Sequence, residues 1–263
     1  MVITGASSGI GKACALAFAN AGAKVMLAAR NETKLLDAVS QITKNGGSAA
    51  ACSTDVSKEE DCRRLIDKAI QQFGTVDILI NNAGISMRAI FAEVDLNVIR
   101  QLMDINFWGT VYCTKYAFPE ILKNHGSIVG ISSIAGYKGL PGRTGYSSSK
   151  FAMQGFLEAL RIENLKTNLH VMIVCPGYTA SNIRNTALNK EGRQQGETPF
   201  DESKLMSADA VAAYIVKGVI NRKRTIILTT QGKLTVWLNK FFPAFMDRMT
   251  YKVVSKEKDS PFK

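Results

Sequence analysis

The sequence predicts an α/β fold, a parallel sheet covered by helices on both faces. Three observations carry this expectation. Short apolar, β-rich runs alternate with longer stretches of helical period along residues 2–229, as in right-handed βαβ units. The short runs are apolar nearly throughout rather than at every second residue, as when both faces of a strand are buried. A glycine-rich turn joins the first strand to the first helix.

In chain order, a strand stub at 2–4 is followed by a helix at 9–21. The run KVMLAA at 24–29 is a strand, and the charged, periodic segment 32–45 a helix. A small apolar strand at 49–53 precedes a helix at 58–73, and a strand at 76–81 ends in two asparagines. One long helix is expected within 98–123, a strand at 127–132, a helix at 145–166 and a strand at 170–175. After a polar stretch come a helix at 208–220 and a strand at 225–229. No repeat or low-complexity linker interrupts this order. The simplest division is one domain over residues 1–232, followed by an amphipathic basic extension at 233–263.

The 263 residues, 46% of them hydrophobic, suffice for one well-buried core. No apolar run reaches the roughly 18 residues of a membrane-spanning helix. The N-terminal apolar stretch runs straight into glycines, unlike a secretory signal peptide. Five scattered cysteines without a CxxC pair read as reduced thiols, and the expected location is cytoplasmic. Much of the net charge of +11 lies in residues 217–263, which hold 11 basic and three acidic side chains. Such a tail can meet an anionic surface, or be no more than a solvated basic face.

The turn reads Thr4-Gly5-Ala6-Ser7-Ser8-Gly9-Ile10-Gly11. Glycines let backbone approach a pyrophosphate closely, and a helix N-terminus supplies unpaired N–H groups and a positive dipole end. The spacing is TGxxxGxG, not the GxGxxG of the ordinary dinucleotide fold. With Asn81-Asn82-Ala83-Gly84, Asn106, Ser133, Tyr146-Ser147-Ser148-Ser149-Lys150 and Pro176-Gly177 in order, the sequence resembles the short-chain dehydrogenase/reductase family from residue 2 to about 230. The resemblance implies a Rossmann-like, doubly wound, seven-stranded sheet, a nicotinamide cofactor and carbonyl/alcohol redox chemistry.

The second strand ends at Arg30, where an NAD site usually carries an acidic residue for the ribose 2′-hydroxyl. A guanidinium there can clasp a 2′-phosphate, which points to NADP(H), or it is a surface charge. Ser7 or Ser8 can donate to the same phosphate. The resemblance places Asp55, followed by Val56, at the adenine ring; as residues alone they also suit a turn or helix cap. It places Asn82, Ala83 and Gly84 beside the cofactor, and Pro176 and Gly177 at the nicotinamide. In the next segment Ser181 takes the place of a usual threonine, and Thr179 departs from a usual Ile or Val.

Tyr146 and Lys150, four apart on a predicted helix, share a face. A free phenol titrates near pH 10, and a neighbouring ammonium favours its phenolate. The resemblance makes Tyr146 the general acid for carbonyl reduction, with Ser133 bonded to the substrate oxygen. Lys150 also holds the nicotinamide ribose, and Asn106 anchors a water of the proton relay. His125 and His170 lack partners at metal-ligand spacing and read as structural, so no metal site is expected.

Residues 182–207 are polar, with Gly192, Gly196 and Pro199, and correspond to the substrate lid of the family. Beyond 233, Leu234, Trp237, Leu238, Phe241, Phe242, Phe245, Met246 and Met249 recur at helical spacing, and Pro243 divides the stretch into two helices. The stripe is expected to pack on the protein's own pocket or a partner subunit, with peripheral contact to an anionic membrane through 233–254 as the other reading. A lipid- or steroid-like carbonyl suits such a tail by analogy with lipid-handling relatives. A homodimer or homotetramer is expected through the helices at 98–123 and 145–166. Against the oxidoreductase stand a nucleotide sensor that lost its chemistry and a related dehydratase or epimerase. A nucleic-acid binder is disfavoured, because basic residues and aromatics do not interleave on a sheet face.

Overall fold

The computed structural model describes residues 1–196, 205–257, 260 and 262. Seven strands, β1 (Val2–Thr4), β2 (Val25–Ala29), β3 (Ala49–Ser53), β4 (Ile78–Asn81), β5 (Ser127–Ile131), β6 (His170–Cys175) and β7 (Thr225–Ile227), form one sheet ordered β3-β2-β1-β4-β5-β6-β7. All pairings are parallel. The chain winds outward from β1 to β3, then returns to place β4 on the other side of β1. The doubly wound, seven-stranded sheet is therefore as expected, and its switch point lies between β1 and β4.

Neighbouring strand residues divide between two cores. Ile3, Leu27, Ile80, Val129 and Val174 pack under α1 (Gly9–Asn20), α2 (Glu32–Lys44) and α7 (Ala208–Ile220). Val2, Met26, Leu79, Ile128 and Ile173 face α3 (Glu59–Phe73), α5 (Gly109–Lys123) and α6 (Thr144–Glu163). The two-residue period of a strand sends adjacent side chains to opposite faces. Burial on both faces thus accounts for the continuous apolar runs. All five cysteines are buried free thiols.

The expected long helix at 98–123 is not continuous. It begins as α4 (Leu96–Leu102), widens into a π-helical turn at Met103–Trp108 and resumes as α5. Asn106, fully buried in that turn, accepts the Ile85 N–H at 2.8 Å and donates to the Ile85 carbonyl at 3.0 Å. A side chain tied to the backbone of the loop after β4 holds the helix open by one residue. β7 is shorter than expected. Thr229, at φ +64°, already caps α8 (Thr230–Phe241), and Pro243 starts α9 (Pro243–Ser255).

The amphipathic stripe does not pack on this chain's own surface. Leu234, Trp237, Phe241, Phe242, Phe245 and Met249 are 41–56% exposed, and Met246 alone of the stripe is buried. The α8–α9 hairpin is fastened by its other face. Asn239 donates to the Tyr137 carbonyl at 3.0 Å, and Lys138 pairs with Asp247. No helix among the described residues is long and apolar enough to cross a membrane. Of the expected lid, residues 197–204, with Pro199, lie outside the described residues. Before them, Leu188 is 7% exposed and bridges to Met87, packing with Val94, Val98 and Tyr146. This part of the segment is more ordered than its polarity suggests.

Candidate active site

The glycine-rich turn ends β1 at the switch point. Gly5 and Gly9 have φ of +64° and +53°, a left-handed backbone costly for other residues. Gly11 is needed for a different reason. A Cβ on it would lie 2.3 Å from the Gly5 carbonyl oxygen and 2.5 Å from Asn82 Nδ2. Ser8 ends the turn in extended conformation without a side-chain cap on α1, and the first turn of α1 carries no acidic residue. Its N–H groups, at the positive end of the helix dipole, suit an anion.

The segment after β4 clamps this turn. Asn82 donates from Nδ2 to the carbonyls of Thr4 (2.9 Å) and Gly5 (3.2 Å). The Thr4 hydroxyl accepts from the N–H groups of Asn82 and Ala83, both at 3.0 Å. Asn81 donates to the Thr114 hydroxyl at 3.0 Å. Gly84 lies against Asn106 Oδ1 and Lys150 Nζ, 3.1 and 3.5 Å from where its Cβ would be. On the other side, Ser181 Cβ is 3.6 Å from the Cβ that Gly9 lacks. The chain after Pro176-Gly177 therefore returns over the glycine turn. Thr179, 4% exposed, is fixed there by a bridge to Met206.

Arg30 is exposed at the end of β2, beside Asn31, which caps α2. β2 is the neighbour of β1, so Arg30 stands next to the turn. Asp55 follows β3 as an Asx turn: Oδ1 accepts from the N–H (3.1 Å) and hydroxyl (2.7 Å) of Ser57. Val56 is buried against Gly109.

Ser133, Tyr146, Lys150 and Asn106 converge at the carboxyl edge of β5. Ser133 follows the strand, caps the short 3-10 turn Ile134–Gly136 and pulls the Tyr146 phenol toward its ionised form. Lys150 Nζ donates to the Ile131 carbonyl at 2.8 Å and sits 5.8 Å from the centroid of the Tyr146 ring. Asn106 Nδ2 donates to the Ser149 hydroxyl at 2.8 Å, and Ser149 donates to the Tyr146 carbonyl at 2.8 Å. Both side-chain donors of Asn106 and its carbonyl oxygen are thus engaged by the protein. The side chain thereby braces the tyrosine's helix.

Burial outweighs the nearby charges at Tyr146. Desolvation pushes its phenol up, against the downward pull of Ser133, Arg143 and Arg184. In the cofactor-free protein Lys150 is itself buried and pushed down to about 8. The Cys175 thiol beside them is pushed up to about 12 by burial and is uncharged near neutrality.

One participant escaped the sequence reading. Gln154 stands one turn beyond Lys150 on the face of α6 that carries Tyr146. Its Nε2 donates to the Ser132 hydroxyl at 2.8 Å and contacts Cys175 Sγ at 3.5 Å. That bond occupies Ser132 and leaves Ser133 as the serine facing Tyr146. The repeat 146, 150, 154 was the available signal. His170 is structural, with Ser127 and the Lys223 carbonyl both at 2.9 Å.

A profile of the short chain dehydrogenase family matches residues 1–192. The chain is 34% identical over 255 residues to 11-beta-hydroxysteroid dehydrogenase A of Sesamum indicum, covering 94% of this chain and 73% of that protein. It is 33% identical over 268 residues to dehydrogenase/reductase SDR family member 7B of Rattus norvegicus, covering 99% and 82%. A short chain dehydrogenase/reductase from Burkholderia phymatum, solved in complex with NAD, superposes with a TM-score of 0.82 at 26% identity over 93% of each chain. With its doubly wound sheet and these relatives over nearly its whole length, the chain belongs to the short-chain dehydrogenase/reductase family of oxidoreductases.

Proposed function

We propose that the chain is an NADP(H)-dependent oxidoreductase that interconverts a ketone and a secondary alcohol, reducing a hydrophobic, lipid- or steroid-like carbonyl. The observation that carries this reading is the convergence of Ser133, Tyr146 and Lys150 beside the switch point, under the uncapped end of α1. The donor set fits a dinucleotide. The α1 N–H groups with Ser7, Ser8, Gly9 and Ile10 would hold the pyrophosphate, and Arg30 the ribose 2′-phosphate. Asp55 and Val56 would border the adenine. Asn82, Ala83, Gly84, Pro176, Gly177, Thr179 and Ser181 would line the nicotinamide half, with Lys150 on its ribose.

A bound nicotinamide supplies hydride chemistry, to the carbonyl carbon in reduction and from the carbinol carbon in oxidation. In reduction, Tyr146 gives its phenolic proton to the substrate oxygen, and Ser133 donates a hydrogen bond to the same oxygen. Lys150 stabilises the resulting phenolate, and a proton from solvent restores the phenol. Oxidation runs these transfers in reverse. Met87, Val94, Leu140, Ile183 and Leu188 pack around Tyr146 and provide apolar walls, which favours an apolar substrate. The hydroxysteroid dehydrogenase relatives agree with that class.

The exposed α8–α9 stripe, with Lys233, Lys240, Arg248 and Lys252, suits peripheral contact with an anionic membrane. Exposed Trp108 and Phe151, by the π turn and on α6, suit a homo-oligomer. Tyr146→Phe tests the chemistry. Cofactor binding is retained and turnover of a good ketone falls by at least about 100-fold; turnover near the parental rate overturns the assignment.

A further inference from the structure

Two residues beyond α9, the chain turns inward and buries a carboxylate. Glu257 is 6% exposed. Nη2 of Arg143 donates to both its oxygens, at 3.2 and 2.9 Å, and Nη2 of Arg88 lies 3.5 Å from Oε2. The arginine side chains are themselves only 12–13% exposed. They arrive from separate loops stitched to each other and to the lid. The Arg88 N–H donates to the Leu188 carbonyl at 2.8 Å, and the Ala89 N–H to the Gly142 carbonyl at 2.9 Å.

This cluster faces the reacting group. Arg143 immediately precedes α6, three residues ahead of Tyr146, and its charge acts on the Tyr146 phenol. Tyr178, directly after Pro176-Gly177, feels Arg143, Glu257 and Arg184. The apolar wall of Met87 and Leu188 adjoins Arg88 in sequence and in space.

A buried ion pair is a poor stabilising device, because desolvating the charges offsets much of their attraction. Guanidinium groups arranged this way recognise carboxylates in general. The one they hold lies just past α9, on a hairpin whose apolar face is exposed, so opening there uncovers little core. We infer that Arg88 and Arg143 form a carboxylate-recognition site on the substrate side of the cleft. Glu257 is its internal ligand, displaced by the carboxylate of an apolar oxo or hydroxy acid. The inference rests on the reading of Tyr146 as the reacting group and narrows its substrate class. Apolar walls hold the body of such a substrate, and the arginines anchor its far end.

The test is calorimetric titration of the full chain with octanoate and, separately, octanol. An internal competitor taxes its rival by the fraction of time it occupies the site. Glu257→Ala and Glu257→Gln therefore bind octanoate about ten-fold tighter than the parent. Arg143→Leu in either background abolishes the gain, and octanol affinity does not change. Two results overturn the inference: octanoate affinity equal to the parent in whichever variant folds, or an equal gain for octanol, which would make the tail a mere plug. Titration reads binding without turnover, so its outcome is independent of whether Tyr146→Phe abolishes reduction.

Discussion

Lys150 gives the site a measurable signature in stability. Its ammonium is 3% exposed and bonded to the Ile131 carbonyl, and burial lowers its pKa from 10.5 to about 8. Between those values the unfolded chain holds this proton and the folded chain does not. Stability therefore rises with pH across that window. At 1.36 kcal/mol per unit, the full rise is about 3 kcal/mol. Other groups titrate in the same range, among them Cys14, whose thiol is pushed up to about 12 and so works in the opposite direction. The informative quantity is the difference between the parent and Lys150→Met, measured by urea unfolding of the cofactor-free protein from pH 7 to 11. Methionine loses the bond to Ile131, a roughly constant offset of about 1–3 kcal/mol that leaves the slope untouched. The stability of the parent relative to the variant should rise by about 3 kcal/mol from pH 8 to 10.5. Parallel curves would refute the reasoning and mean that the carbonyl and the Tyr146 ring hold the ammonium as well as water does. The same lowered pKa matters for the chemistry, because an amine titrating near pH 8 exchanges its proton readily near neutrality.

Three further outcomes are expected. Gly11→Ala forces its Cβ onto the Gly5 carbonyl and the Asn82 amide, so it should cost about 1–3 kcal/mol in thermal unfolding and abolish dinucleotide binding seen by calorimetry. Arg30→Asp should reverse a preference for NADPH over NADH in the same titration, with equal affinities in the parent counting against the 2′-phosphate assignment. The intact chain should co-sediment with phosphatidylserine vesicles in a salt-sensitive manner. Phe241→Ser with Phe245→Ser should weaken that binding more than ten-fold, since each buried aromatic contributes about 1.5–3 kcal/mol; unchanged sedimentation would point to a protein partner for the stripe.

The parts of the fold legible in sequence are those set by local chemistry. Strands buried on both faces are apolar at nearly every position, so β2, β5 and β6 stand out from the helices around them. Proline is costly inside a helix and favoured at its first turn, and Pro243 starts α9. The π turn at Met103–Trp108 was illegible, because what opens the helix is the backbone of Ile85, 21 residues away. The stripe from Leu234 to Met249 was legible as a helix face, but periodicity reports which residues share a face and not what the face meets.

The candidate site divides along the same line. The glycines, Ser133, Tyr146 and Lys150 occupy positions where backbone geometry or helix spacing restricts the residue, and the structure brings them together where their order implied. What a pattern cannot carry is the balance of opposing effects at one atom. An ammonium near Tyr146 argues for an acidic phenol, yet both groups are buried, and desolvation raises the phenol and lowers the ammonium. Nor can it pair charges across the chain. In sequence Glu257 sits in a basic, polar tail and looks solvated. Its partner Arg143 is 114 residues away. Only the fold of α8 and α9 back over Tyr137 and Lys138 delivers that carboxylate to the arginines. The glycine turn can thus be read from a motif, whereas the pairing of Glu257 with Arg143 depends on where α9 stops.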